Sequence, residues 1–169
     1  MYKNAIKKYA VWARRELISR VSQKALQYGI SENEYADKNA ESVNGKLLTA
    51  EEKHQRAALI DQINKNGYQQ VMEEVAYTWF NRFVALRFME THDFLPHGFR
   101  VLSSRDGNLE PEILKNLAYV KDELKLDINL CNALKTQGKL EELYRYVLFR
   151  QCKALSGILP MLFSDENDY

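Results

Sequence analysis

Residues 69–90 read QQVMEEVAYTWFNRFVALRFME, a run too long and too periodic for a loop, and its pattern decides the fold. With Val71 at zero and about 100° per residue, Val75, Leu86, Trp79, Met72, Phe83 and Ala76 fall on one arc. Phe80, Val84, Tyr77 and Phe88 extend that arc to roughly 220°. An apolar face this wide predicts a central helix packed on several sides. The remaining stripe holds Gln70, Glu74, Thr78, Asn81 and Ala85, with Arg82 at its edge. Arg87 falls inside the arc beside Phe80 and Phe83, where a guanidinium requires a partner. Asn81, Arg82 and Arg87 are therefore the expected structural polar groups. Of the two arginines, Arg87 is expected to be the more deeply buried and the costlier to remove.

Working outward, the rest of the chain also reads as helical. A first helix over about 4–28 has Ile6, Ala10, Ala13, Leu17 and Val21 at helical spacing and Gly29 as its stop. The polar stretch SENEYADKNAESVNGKLL then wraps the surface. Thr49 followed three residues later by Glu52 announces a capping box, and that second helix ends at Gly67, forming a hairpin with the central one. Beyond residue 90, 99–102 is the one plausible strand, followed by a turn at Asp106-Gly107. Pro111 opens a helix carrying Leu117, Val120 and Leu124. A last long helix over 140–156 turns Leu143, Tyr144, Val147, Leu148 and Leu155 inward. The expectation is one all-α domain over 1–169, an irregular multi-helix bundle around the buried helix at about 69–91. At most one short strand or hairpin is expected, near 99–109.

Composition sets further bounds. The chain has 169 residues, 46% hydrophobic and 28% charged, ordinary for a globule with a sizeable core. No segment reaches about 18 uninterrupted apolar residues, and the first residues continue straight into a helix rather than forming a leader. Cys131 and Cys152 lie in apolar helical contexts without metal-ligand spacing and read as reduced core thiols. His92, Asp93 and His97 form H-D-x-x-x-H, but no third ligand accompanies them, so they read as loop residues and no metal is expected.

Charge is distributed unevenly. The whole chain is +1. Its first thirty residues carry Lys3, Lys7, Lys8, Arg14, Arg15, Arg20 and Lys24 against Glu16 alone, which places +6 there and −5 elsewhere. Lys3, Lys7, Lys8, Arg14 and Arg15 are the candidate contacts to a DNA backbone, set against the plain alternative of a solvated helical face. No recognition-helix pattern accompanies them.

The string AYTWFNRFVALRFME, 76–90, resembles the N-terminal helical region of large bacterial adenine-specific DNA methyltransferases. The likeness is nearest to the PglX-like group of BREX phage defence. Looser versions, N-R-x-x-x-L-R-F-x-E, occur before the methyltransferase domain of type II restriction-modification enzymes. NAIKKYAVWARRELISRVSQKALQYGI and GYQQVMEEVAYTWFNRF resemble the same group, so the likeness covers at least 4–102. It implies a parent enzyme that uses S-adenosylmethionine and acts on DNA in the bacterial cytoplasm. Such enzymes bind the cofactor in a Gly-rich turn and hold adenine in an [NDS]-P-P-[YF] loop. Neither occurs here: Pro96, Pro111 and Pro160 stand apart and the seven glycines are scattered singly. No catalytic, cofactor-binding or metal residue is therefore carried over. The apolar run ILPMLF at 158–163 resembles a segment that leads into the next domain of the group. The chain thus reads as the non-catalytic leading domain of a longer polypeptide, scaffolding a downstream methyltransferase domain and meeting DNA and defence partners through the parent. The alternative is a stand-alone helical interaction module.

Overall fold

The computed structural model describes residues 2–35 and 37–164. Its elements, in order, are α1 (Lys3–Gln27), β1 (Ser42–Val43), β2 (Lys46–Leu47), α2 (Ala50–Asn66), α3 (Tyr68–Thr91), α4 (Glu112–Lys115), α5 (Leu117–Val120), α6 (Ile128–Thr136), α7 (Leu140–Ser156) and α8 (Pro160–Phe163). Among the described residues the fold is all-α apart from one antiparallel hairpin of two-residue strands and an isolated bridge between Ile30 and Tyr35. Two compact units divide the described chain, one running through Phe80 and the other beginning at Asn81, and α3 contributes to both.

In the first unit, Ala25, Ile30, Ile60, Ile63, Val71, Met72 and Val75 make a buried cluster, with Val21, Leu59, Tyr68 and Trp79 packed on it. α1 ends as its sequence implies: Gly29 takes φ 68°, and its N–H bonds the Leu26 carbonyl at 2.9 Å. The capping box at α2 is complete, with Glu52 N–H donating to Thr49 Oγ1 and Thr49 N–H donating to the Glu52 carboxylate. Arg56, nearly fully buried, donates from Nε to Tyr28 O at 2.8 Å and from Nη1 to Asp37 O at 2.6 Å. One guanidinium thereby fixes the polar stretch after α1 to α2.

The strand expectation is corrected in position. Residues 99–102 form no strand; they run as irregular chain held by side-chain bonds. The hairpin instead lies in the polar stretch, where Asn44 (φ 51°) and Gly45 (φ 78°) form its turn. Both central residues lie at positive φ, which Asn-Gly tolerates.

In the second unit, α7 packs against α6 and α8. Leu143, Val147, Leu148 and Leu155 are buried as expected, and Gln151 and Cys152 join them. The helix expected after Pro111 is two single turns, α4 and α5, broken at Asn116. Leu117, Val120 and Leu124 are nonetheless buried. α6 was not expected; Asp127 caps it by accepting the N–H groups of Asn129 and Leu130. Of the apolar run 158–163, Phe163 is wholly buried while Ile158 and Met161 are exposed. Cys131 and Cys152 are buried free thiols, and burial pushes the Cys131 thiol up from its usual range.

α3 matches the expected helix in extent but not in the width of its buried face. Val71, Met72, Val75, Ala76, Leu86 and Met89 are buried, whereas Tyr77, Val84 and Phe88 are exposed. On the wheel used above the buried arc covers about 140°, and the arc from about 200° onward faces solvent. The two arginines stand in the reverse of the expected order. Arg82 is 1% exposed, and the side chain of Arg87 is 54% exposed. The same wheel puts Arg82 at about 20°, between Val71 and Val75, and Arg87 at about 160°, past Ala76, so Arg82 belongs inside the buried arc rather than at its edge and Arg87 lies beyond its far border. Asn81 is half-buried.

Candidate nucleic-acid interface

α1 offers the candidate surface. With Tyr2 at zero and about 100° per residue, Lys7, Lys8 and Arg15 gather between about 140° and 240°, with Lys3 on their flank near 100°. All four are exposed. Arg14 differs from the other candidates, because its Nη2 lies 2.8 Å from Glu73 Oε2 on α3 in an ion pair that both side chains share with solvent. Arg20 pairs with Glu16 on the same helix. No acidic residue occupies the first turn of α1. Lys3 thus sits at the positive end of the helix dipole with no acid to offset it, and Lys7 and Lys8 follow on the second turn.

The structural polar groups form a second constellation. Arg82 Nη2 donates to Ser164 O at 2.9 Å and its Nε to Leu162 O at 3.3 Å, pinning the end of α8 to α3. Glu90, which the sequence reading passed over, is 1% exposed and organises the chain that follows α3. Its Oε2 accepts the N–H groups of Val101 and Leu102 at 2.9 and 2.8 Å. Its Oε1 accepts Ser103 Oγ at 2.9 Å and Arg87 Nη1 at 2.6 Å. Four donors satisfy the buried carboxylate, and this explains why 101–103 needs no strand partner. Burial, aided by the nearby Glu90 charge, pushes the Tyr144 phenol up to about 12. The Arg and Glu residues of the N-R-x-x-x-L-R-F-x-E string are therefore joints of the fold. No local pattern marks Glu90 as buried, because its backbone donors lie 11 and 12 residues downstream.

His92, Asp93 and His97 are each held separately. His92 bonds the Phe88 carbonyl through Nδ1 and stacks on the Phe88 ring at 4.2 Å. Asp93 accepts from Arg105 Nη2 at 2.5 Å. His97 accepts Phe99 N–H at Nδ1, which leaves Nε2 as the donor to buried Gln151 Oε1 at 2.7 Å. Among the described residues no three His, Cys, Asp or Glu side chains are grouped so as to hold a metal ion, and no helix is long and apolar enough to cross a membrane. A shallow polar cleft lined by Glu32, Gly67, Gln69 and Glu73 has its carboxylates engaged, Glu32 with Gln69 and Glu73 with Arg14.

No protein-family model matches the chain. Among curated proteins it is 34% identical over 192 aligned residues to the adenine-specific methyltransferase PglX of Lacticaseibacillus casei strain Zhang, a match covering 100% of this chain and 16% of that protein. It is 32% identical over 179 residues to the adenine-specific methyltransferase BrxX of Escherichia coli O9:H4 strain HS, covering 99% of the chain and 15% of the relative. The chain thus spans about a sixth of the length of these relatives, and the resemblance read from residues 4–102 extends over essentially all of it.

Proposed function

We propose that this chain, similar throughout its length to PglX and BrxX adenine-specific methyltransferases, is the leading, non-catalytic helical domain of such an enzyme in a bacterial phage-defence system. The observation that carries the reading is the coverage: the whole chain aligns, and it accounts for a small fraction of each relative. In this reading S-adenosylmethionine and the reacting adenine are handled by polypeptide beyond these residues, in the cytoplasm. The helical domain scaffolds the methyltransferase domain. α1 adds electrostatic affinity, with Lys7, Lys8 and Arg15, flanked by Lys3, set against DNA phosphates; Arg14 serves the fold through Glu73. Phosphate contacts of this kind set orientation and affinity without reading bases.

The test compares this chain with the polypeptide that continues from it. The longer chain is expected to transfer tritiated methyl groups from S-adenosylmethionine to N6 of adenine in duplex DNA. The 169-residue chain is expected to show no saturable heat of cofactor binding in calorimetric titration. Micromolar cofactor binding by the short chain, or a longer chain that lacks methyl transfer to adenine, overturns the reading.

A further inference from the structure

α1 has a second face that its own unit leaves bare. Tyr2, Ile6, Tyr9 and Trp12 are 77%, 64%, 60% and 58% exposed, and Tyr9 and Trp12 lie with ring centroids 5.7 Å apart. On the α1 wheel these four fall between about 280° and 40°, with Lys8 and Arg15 bordering Trp12 near 240° and 220° and Lys7 further round near 140°. Scattered surface hydrophobes need no explanation, but a contiguous apolar stripe marks a contact surface. The stripe is also continuous with packing already present. Stepping by four residues from Tyr9 gives Ala13, Leu17, Val21 and Ala25, of which Ala13 and Ala25 are buried, and Val21 packs on the buried cluster of the first unit. The row winds from about 340° at Tyr9 to about 140° at Ala25, so Ile6 and Tyr9 adjoin buried Ala13 while Trp12 stands further from that packing.

We infer that the Tyr2-Ile6-Tyr9-Trp12 stripe of α1 is a docking surface for the methyltransferase portion of the same polypeptide, so that α1 lies between protein on one face and DNA phosphates on the other. Two observations select that occupant. The stripe extends a protein core layer, so an apolar protein surface completes it. Finally, more than four-fifths of each relative's length lies outside the matched segment, which supplies a partner tethered at high effective concentration. The inference rests on the reading above that the chain leads a longer methyltransferase. It assigns α1 the role of a positioning element: burial of the stripe would hold the adjoining cations at a fixed place relative to the adenine site.

Hydroxyl-radical footprinting with mass spectrometry tests this directly, because it reports Tyr2, Tyr9 and Trp12 individually in a chain of any length. In the 169-residue chain all three should oxidise rapidly. In the longer methyltransferase polypeptide, without DNA, their rates should fall at least fivefold while acylation of Lys7 and Lys8 stays unchanged. Ile6→Ser with Trp12→Ser should restore fast oxidation of Tyr2 and Tyr9 in the longer chain. A longer chain that methylates adenine yet leaves the three rings as reactive as in the short chain overturns the docking inference alone. A longer chain without methyl transfer overturns the functional reading on which it rests. A stoichiometric dimer of the short chain that the double substitution dissolves, or binding of the short chain to phosphatidylglycerol vesicles through the stripe, assigns the surface to another occupant and likewise overturns it.

Discussion

α1 and α3 are the two longest helices, 25 and 24 residues, and they place their charges in opposite ways. α3 is buried along one arc and takes charges into that arc: Arg82 ties the end of α8, and Glu90 binds the chain at 101–103. α1 buries almost nothing before Ala13 and leaves Lys3, Lys7, Lys8 and Arg15 in solvent beside an uncovered apolar stripe. Charges with several hydrogen-bond partners inside a fold hold structure, because removing one leaves the others unsatisfied. Exposed charges crowded on one helical face contribute little to stability and remain available to a partner. The contrast marks α3 as architecture and leaves α1 as the surface proposed for contact.

The largest break in this contrast should come from Glu90. Glu90→Ala leaves two backbone N–H groups at 101 and 102 without their acceptor and should cost about 3–5 kcal/mol, read as a lower urea midpoint. Arg82→Ala should follow at about 2–4 kcal/mol, since it strands the carbonyls of Leu162 and Ser164. Arg87→Ala should cost only about 1 kcal/mol, because Glu90 retains three donors. A melt in which Arg87→Ala is costlier than Arg82→Ala would restore the broad apolar arc and refute the structural assignment.

That ordering also shows what the sequence could convey. The helix ends were legible because caps are local: Thr49 and Glu52, Gly29 and Gly67 each act within one turn. The extent of α7 followed from its own periodicity. The burial of Arg82 was legible too, since the wheel sets it between Val71 and Val75; the exposure of Arg87 depends on how far packing extends past Ala76, and periodicity alone does not contain that information. Glu90 was illegible for a similar reason, as three of its four donors lie 11 to 13 residues downstream in irregular chain. The hairpin at Asn44-Gly45 was readable and was overlooked, the Asn-Gly dipeptide being a turn signal in its own right. At the candidate interface, the cations were visible in the composition. The ion pair that withdraws Arg14 required the fold.

A smaller effect should appear with acid. Lys46 Nζ at 2.7 Å and the Thr49 N–H, with Tyr28 Oη also bonded, hold the Glu52 carboxyl down at about 2 from an ordinary 4.5. A depressed carboxyl contributes stability that is fully present above about 4.5 and lost as the pH falls from there towards 2. The loss should be on the order of 1–2 kcal/mol, reduced by solvent screening, and Glu52→Gln should remove that part of the pH dependence in urea melts. The least effect on the fold should come from α1: Lys7→Glu, Lys8→Glu and Arg15→Glu together should change stability by about 0.5 kcal/mol or less.

That triple reversal is also the sharpest probe of α1 as a contact element. Fluorescence anisotropy with duplex DNA, titrated across salt concentrations, should show weak binding of the 169-residue chain without sequence preference. Three phosphate contacts from Lys7, Lys8 and Arg15 predict a slope of log affinity against log salt near −3, at about −0.9 per contact. The triple reversal should abolish binding with the urea midpoint unchanged. Binding that survives it, or that strongly prefers one DNA sequence, would contradict the assignment of α1 to the DNA backbone.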